Sequence, residues 1–267
     1  MKRFAITAAL LSVMALPAVT NATNIIGFDL VGSGSQNLIS YSNEVTDAGG
    51  YSSAGDGFGI YQRGVSASIP FALLDDSLSI FPGDTLGIID ENNTGRFFGV
   101  TDTINGDIFP DTVSASWVFD ISGFNNLSVS LDIGAMGDFE DAVGFGEEDF
   151  FDLSYSIDGG PLMSLFRSFV DEDGSLTYTL SDGDMFTLDD PMTLDGVILS
   201  NMLQTFSADI LGSGSELTLT LAAQGNGGSE ATMVFQNLIV RAPEPAMLAL
   251  LTLGLLGISA TRRKRPV

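Results

Sequence analysis

The chain has 267 residues, no cysteine, no histidine and a formal net charge of −24. The two missing residue types exclude disulfides, Ser-His-Asp and Cys-His catalysis, and zinc sites of the usual type. Residues 23–241 hold four arginines, no lysine and 33 acidic residues, so we expect an anionic surface that repels nucleic acid and attracts divalent cations.

Residues 1–22 have the composition of a secretory signal peptide. Lys2 and Arg3 precede an apolar run over residues 4–17, and residues 20–22 are small or polar. A positive start, a short apolar stretch and small residues before the cleavage site are typical of such peptides. We therefore expect an N-terminal signal helix that is removed after Ala22, and a chain that is exported.

Residues 23–241 are predicted to form one acidic, all-β domain. Apolar and polar residues alternate over residues 127–133, and the same two-residue period recurs at 117–121, 153–157, 176–180 and 217–221. This period is typical of half-buried strands, and Gly- and Asp-rich turns separate the runs. Short strands with a turn every eight to twelve residues predict an antiparallel β-sandwich. Residues 31–60 are expected to be long loops, and residues 199–210 a short helix or loop.

Residues 242–267 have three distinct parts. Pro243, Glu244 and Pro245 come first, an apolar run over residues 246–260 follows, and a basic cluster comes last, formed by Arg262, Arg263, Lys264 and Arg265. The apolar run is shorter than the about 20 residues that usually span a bilayer. Basic residues after it favour a cytoplasmic end. The segment is therefore predicted to be a single transmembrane helix that serves as a transient anchor.

The order and position of these three parts resemble the PEP-CTERM sorting signal of Gram-negative bacteria. The resemblance implies that an exosortase recognises the segment in the inner membrane and processes it near the Pro-Glu-Pro motif. It also implies delivery to the cell surface or to extracellular polysaccharide. An ordinary membrane anchor is the alternative. The body resembles jelly-roll modules of extracellular bacterial proteins over residues 97–102, 117–121, 156–160 and 235–240.

Acidic residues are densest between residues 138 and 152. Calcium takes six to eight oxygen ligands, and a cation would relieve repulsion among neighbouring carboxylates. The candidate calcium ligands are Asp138, Glu140, Asp141, Glu147, Glu148, Asp149 and Asp152. The spacing is not that of an EF-hand loop. Solvated acidic loops are the alternative explanation for this cluster and for the acidic runs at 171–173 and 182–184.

Two sugar-related functions are possible for an acidic β-sandwich. Glycoside hydrolysis needs two carboxylates, but no strand presents alternating acids on one face. Carbohydrate binding needs exposed rings, and the candidates are Tyr51, Tyr61, Phe97 and Phe98, although Phe in strands is usually buried. Trp117 is predicted to lie in the core. The preferred function is therefore a non-enzymatic surface or matrix protein, with a calcium-dependent carbohydrate-binding or adhesion module and a secreted glycoside hydrolase as alternatives.

Overall fold

The fold consists almost entirely of β-strands. The structure is a computed structural model that describes residues 23–45, 51, 53–75, 87–104, 112–141, 148–226 and 231–243. In these residues the helical content is a single 3-10 turn at Phe71–Leu73. None of this part of the chain forms a helix long and apolar enough to cross a membrane. The predicted signal peptide and nearly all of the predicted anchor lie outside the described residues.

The described residues form nineteen strands. In chain order they are β1 (Thr23–Val31), β2 (Gly34–Gln36), β3 (Leu38–Asn43), β4 (Gly57–Gln62), β5 (Leu74–Asp75), β6 (Ile89–Asp90), β7 (Arg96–Thr101), β8 (Val113–Asp120), β9 (Leu127–Met136), β10 (Phe150–Ile157), β11 (Met163–Phe166), β12 (Ser168–Val170), β13 (Ser175–Thr179), β14 (Met185–Asp189), β15 (Met192–Leu194), β16 (Val197–Ile198), β17 (Gln204–Ile210), β18 (Glu216–Gln224) and β19 (Thr232–Pro243). Residues Asn24–Pro243 form one compact unit. The all-β class is therefore confirmed.

Two large sheets organise this unit. The seven-stranded sheet has the order β17-β9-β19-β1-β2, and β7 pairs with β19 on one side and β4 on the other. The five-stranded sheet has the order β11-β10-β18-β8-β3, and all of its pairings are antiparallel. Smaller sheets join β12-β15-β16, β13-β14 and the short parallel pair β5-β6.

The hydrophobic core lies between the two large sheets. Trp117 of β8 and Phe151 of β10 come from the five-stranded sheet, and Phe98 and Phe235 come from the seven-stranded sheet. The Phe235 ring centroid lies 5.5 Å from that of Trp117 and 5.7 Å from that of Phe151. Because each strand alternates its side chains between two faces, one face of each sheet supplies this core. The arrangement is consistent with a β-sandwich.

Two local predictions were wrong. Within residues 31–60, predicted to be long loops, the chain forms β2, β3 and β4. β2 and β3 lie at sheet edges and are mostly exposed, so small polar residues can pair there without an apolar pattern. In the span 199–210, predicted to be a helix or loop, residues Gln204–Ile210 form the edge strand β17. Its half-buried residues alternate with exposed polar ones, and pairing with β9 stabilises it.

Candidate functional site

The predicted sorting segment begins where strand β19 ends. Arg241 is in register with Ser128 of β9, the next residue Ala242 is only 3% exposed, and Pro243 is exposed. The start of the segment is therefore continuous with a strand that has neighbours on both sides. Glu244, Pro245 and the basic cluster lie outside the described residues.

Asp149, one of the predicted calcium ligands, instead binds the main chain. Its side chain is 1% exposed, and its two carboxylate oxygens accept hydrogen bonds from the amides of Glu140, at 2.9 Å, and Asn226, at 2.7 Å. The Asp149 amide donates in turn to the Glu140 carbonyl. These bonds connect the segment after β9 to the start of β10 and to the end of β18. Burial raises the pKa of Asp149 to about 6, although the two amide donors lower it.

Asp152 also has structural partners. Its Oδ1 accepts a hydrogen bond from the Ser168 amide at 3.1 Å, and its Oδ2 lies 3.7 Å from Arg167 Nε. Partial burial raises the pKa of Asp152, and the positive charge of Arg167 opposes that rise. The Arg167 guanidinium lies 5.1 Å from the ring centroid of Phe169. Asp152 therefore helps to hold β12 against β10.

The remaining acids near the end of β9 meet acids that are distant in the sequence. We call the following set the acidic cluster: Asp138, Glu140, Glu172, Asp189 and Asp190. Glu172 also accepts a hydrogen bond from the Asp141 amide at 2.8 Å. Partial burial, followed by the charges of the other four members, raises the pKa of Asp190 to about 6. Burial and the charges of Asp189 and Glu172 also raise the pKa of Asp138.

The predicted calcium set is thus divided between different surroundings. Asp149 and Asp152 bind main-chain amides, Asp138 and Glu140 belong to the acidic cluster, and Glu147 lies outside the described residues. Asp141 and Glu148 are described and belong to neither group. In the parts of the chain that the structure describes, no three acidic side chains are placed so that they could hold a metal ion. Calcium binding stays a prediction, and Glu172, Asp189 and Asp190 are near neighbours that sequence reasoning did not place there.

The candidate sugar-binding rings lie mainly inside the protein. Phe97 and Phe98 are fully buried, and Tyr51 and Tyr61 are half-buried. Burial raises the pKa of Tyr61 to about 12. Trp117 is buried as predicted. A sugar therefore has no access to the faces of Phe97 and Phe98.

A pocket of about 290 Å³ lies beside the β5-β6 pair. We call it the β5-β6 pocket, and its lining includes Asp75, Asp90, Thr179, Leu180, Asn201 and Met202. These residues come from the β5-β6 pair, the end of β13 and the turn before β17. Sequence reasoning missed this site because its residues are spread over about half of the chain and share no motif.

The raised carboxyl pKa values predict a specific pH dependence of stability. In the unfolded chain these groups titrate near pH 3.9, so between about pH 4 and pH 6 the folded state binds more protons than the unfolded state. The free energy of unfolding therefore receives a contribution that is present below pH 4 and is lost as the pH rises through 6. Asp190→Asn should raise the melting temperature at pH 7.5 and reduce its change between pH 5 and pH 7.5. Asn also tolerates the positive φ of 51° at this position.

Thermal melts of the unchanged chain and the Asp190→Asn variant at pH 5.0 and 7.5 test this prediction. Asp209→Asn is the matched control, because Asp209 is exposed on the edge strand β17. If Asp209→Asn changes the pH dependence of the melting temperature as much as Asp190→Asn does, the pH dependence does not arise from the acidic cluster and the prediction is wrong.

Comparison with known families identifies the sorting segment. The family model described as the PEP-CTERM protein-sorting motif matches residues 241–265, which include all seven predicted sorting residues. Comparison of the whole chain with characterised proteins found no significant match. The motif implies sorting by an exosortase and export to the cell envelope of a Gram-negative bacterium. The chain therefore carries a PEP-CTERM protein-sorting motif at residues 241–265, which follows an acidic, all-β body in the sequence.

Proposed function

We propose that this chain is a non-enzymatic protein of the cell surface or extracellular matrix. In this proposal a signal peptide starts export, and an exosortase in the inner membrane processes the sorting segment. The β-rich body is then delivered to the surface or to exopolysaccharide. The observation that carries the proposal is the match of the PEP-CTERM protein-sorting motif to residues 241–265.

The strand order supports a jelly-roll-like body. The order β7-β19-β9-β17 in one sheet faces β8-β18-β10-β11 in the other. Most of the connections that directly join consecutive strands of the two large sheets cross from one sheet to the other. Such double-sheet arrangements limit the number of free strand edges. A body of this kind stays folded without disulfides, because the space between its sheets buries large aromatic side chains. These properties suit a module displayed outside the cell.

Three carboxylates with partners inside the protein support a structural body. Asp149 accepts hydrogen bonds from two main-chain amides. Asp152 accepts one from the Ser168 amide and forms an ion pair with Arg167. Asp29 accepts hydrogen bonds from the side chains of Arg96 and Trp117. Each of these acids therefore stabilises a contact between elements. The acidic exposed surface favours solubility at the cell exterior through mutual repulsion between copies.

Replacement of Pro243, Glu244 and Pro245 by alanine tests the route of export. The exosortase should no longer recognise the segment, so the uncleaved chain should accumulate with the inner membrane of an exosortase-bearing host. Cell fractionation, together with mass spectrometry of the C-terminal peptides, measures both outcomes.

Pro161→Ala provides a control, because Pro161 is exposed in the turn between β10 and β11. This control should be processed like the unchanged chain. Deletion of the exosortase should reproduce the effect of the triple alanine variant. Normal cleavage and surface delivery of the triple variant would contradict the proposal.

A further inference from the structure

The β5-β6 pocket combines three polar atoms that are available to a ligand. Asp90 is exposed and uses Oδ1 to accept the Asn92 amide at 2.7 Å. Asn201 Nδ2 donates to the Thr179 carbonyl at 2.7 Å, which fixes the orientation of the amide. Within the described residues, Asp90 Oδ2, Asn201 Oδ1 and the Thr179 hydroxyl have no hydrogen-bonding partner. They present two acceptors and one group that both donates and accepts.

Four apolar residues, Ile88, Leu180, Met202 and Leu203, also line the pocket. Leu180 is buried, Leu203 is half-buried, and Met202 is 73% exposed. A methionine side chain is flexible and polarizable, so it adapts to ligands of different shape. Small-molecule sites combine apolar walls with placed polar groups, and about 290 Å³ is at the lower end of their size range.

The acidic side chains of the pocket disfavour anionic ligands. Asp75 and Asp90 are in register in the parallel β5-β6 pair, so their carboxylates lie on adjacent strands. Asp75 is buried and accepts the Ser181 amide at 2.7 Å. Arg63 lies beside the β5-β6 pair, where its Nη2 donates to the main-chain carbonyls of Asp75 and Ile89, but it does not line the pocket. A carboxylated, sulfated or phosphorylated ligand would therefore meet the exposed carboxylate of Asp90 and no basic side chain among the described residues of the lining.

We propose that the β5-β6 pocket binds an uncharged sugar residue of a polysaccharide. The hydroxyl groups of a neutral pyranose donate to Asp90 Oδ2 and Asn201 Oδ1 and exchange a hydrogen bond with Thr179. Its C–H face packs on Leu180, Leu203 and Met202. This assignment rests on the proposed function, because it supplies the contact by which an exported body is held in a carbohydrate matrix.

Binding of the full chain to an array of neutral, uronic-acid and sulfated oligosaccharides tests the assignment. We expect hits among the neutral glycans and none among the anionic ones. Calorimetry of the best neutral hit should then show affinity about 3- to 10-fold weaker for Thr179→Val, which removes one hydroxyl hydrogen bond. Asp90→Asn should weaken binding by about tenfold, because the sugar loses a charged hydrogen-bond acceptor. The asparagine side chain can still accept the hydrogen bond from the Asn92 amide, so the local structure should be kept.

Thr177→Val is the matched control. Thr177 lies two residues before Thr179 on the same exposed face of β13, but its hydroxyl bonds Thr187 and it is not part of the pocket. This variant should bind within about twofold of the unchanged chain. Thermal melts of all variants establish that they remain folded.

Three outcomes would overturn the pocket assignment: no neutral hit on the array, a preference for anionic glycans, or equal affinity of the Thr179→Val and Thr177→Val variants. None of them bears on export. Normal cleavage and surface delivery of the triple alanine variant in the fractionation experiment would overturn the proposed function while leaving sugar binding by the purified chain measurable.

Discussion

Replacement of Phe235 by alanine is expected to lower the free energy of unfolding by about 3–5 kcal/mol. Phe235 is fully buried, and its ring contacts rings from both large sheets, namely Phe98, Trp117 and Phe151. Removal of the ring leaves a cavity that the paired strands on either side cannot close. Because small proteins are stable by about 5–15 kcal/mol, this loss is a large fraction of the total.

Urea unfolding of the chain, followed by tryptophan fluorescence, measures this change. Trp117 is the only tryptophan and lies beside Phe235, so the signal reports on the same core. Phe169→Ala is the matched control, because Phe169 is 52% exposed, and it should cost about 1 kcal/mol or less. Equal losses for the two variants would contradict a shared core between the two sheets.

Replacement of Asp29 by alanine is expected to cost about 3–5 kcal/mol, the usual result of breaking a buried ion pair. Asp29 is 0% exposed on β1, and its Oδ1 accepts a hydrogen bond from Arg96 Nη1 at 3.0 Å. Its Oδ2 accepts the indole N–H of Trp117 at 3.2 Å, a contact between the two large sheets. Without Asp29, the arginine and the indole lose their shared acceptor inside the protein.

A double-mutant cycle separates the contribution of the Asp29–Arg96 ion pair to the free energy of unfolding from the contributions of the two side chains taken singly. Arg96→Ala alone leaves the Asp29 carboxylate buried without its cation, whereas the double alanine variant leaves no uncompensated charge. The double variant should therefore be less destabilised than the sum of the two single variants. Asp209→Ala, at an exposed position of β17, should change stability by less than about 0.5 kcal/mol. Additive single effects would show that the ion pair makes no contribution.

Tertiary contacts decided what the acidic residues do. Sequence reasoning grouped the acids between residues 138 and 152 by their proximity in the chain. Folding divides that group, since Asp149 is buried against the amides of Glu140 and Asn226, while Asp138 faces Glu172 and Asp190. The sheet topology brings together chain segments that are distant in the sequence, so no local pattern could predict these partners. The same applies to Asp29, whose partners Arg96 and Trp117 lie on other strands.

Local patterns were sufficient where the physical cause is itself local. Alternation over residues 127–133 predicted strand β9, and alternation over 117–121 predicted the burial of Trp117, because a strand turns successive side chains to opposite faces. The sorting motif is recognised as a linear segment, so its residues could be predicted from their order alone. Edge strands such as β3 and β17 and the β5-β6 pocket required the tertiary structure, because pairing partners and pocket walls come from distant parts of the chain.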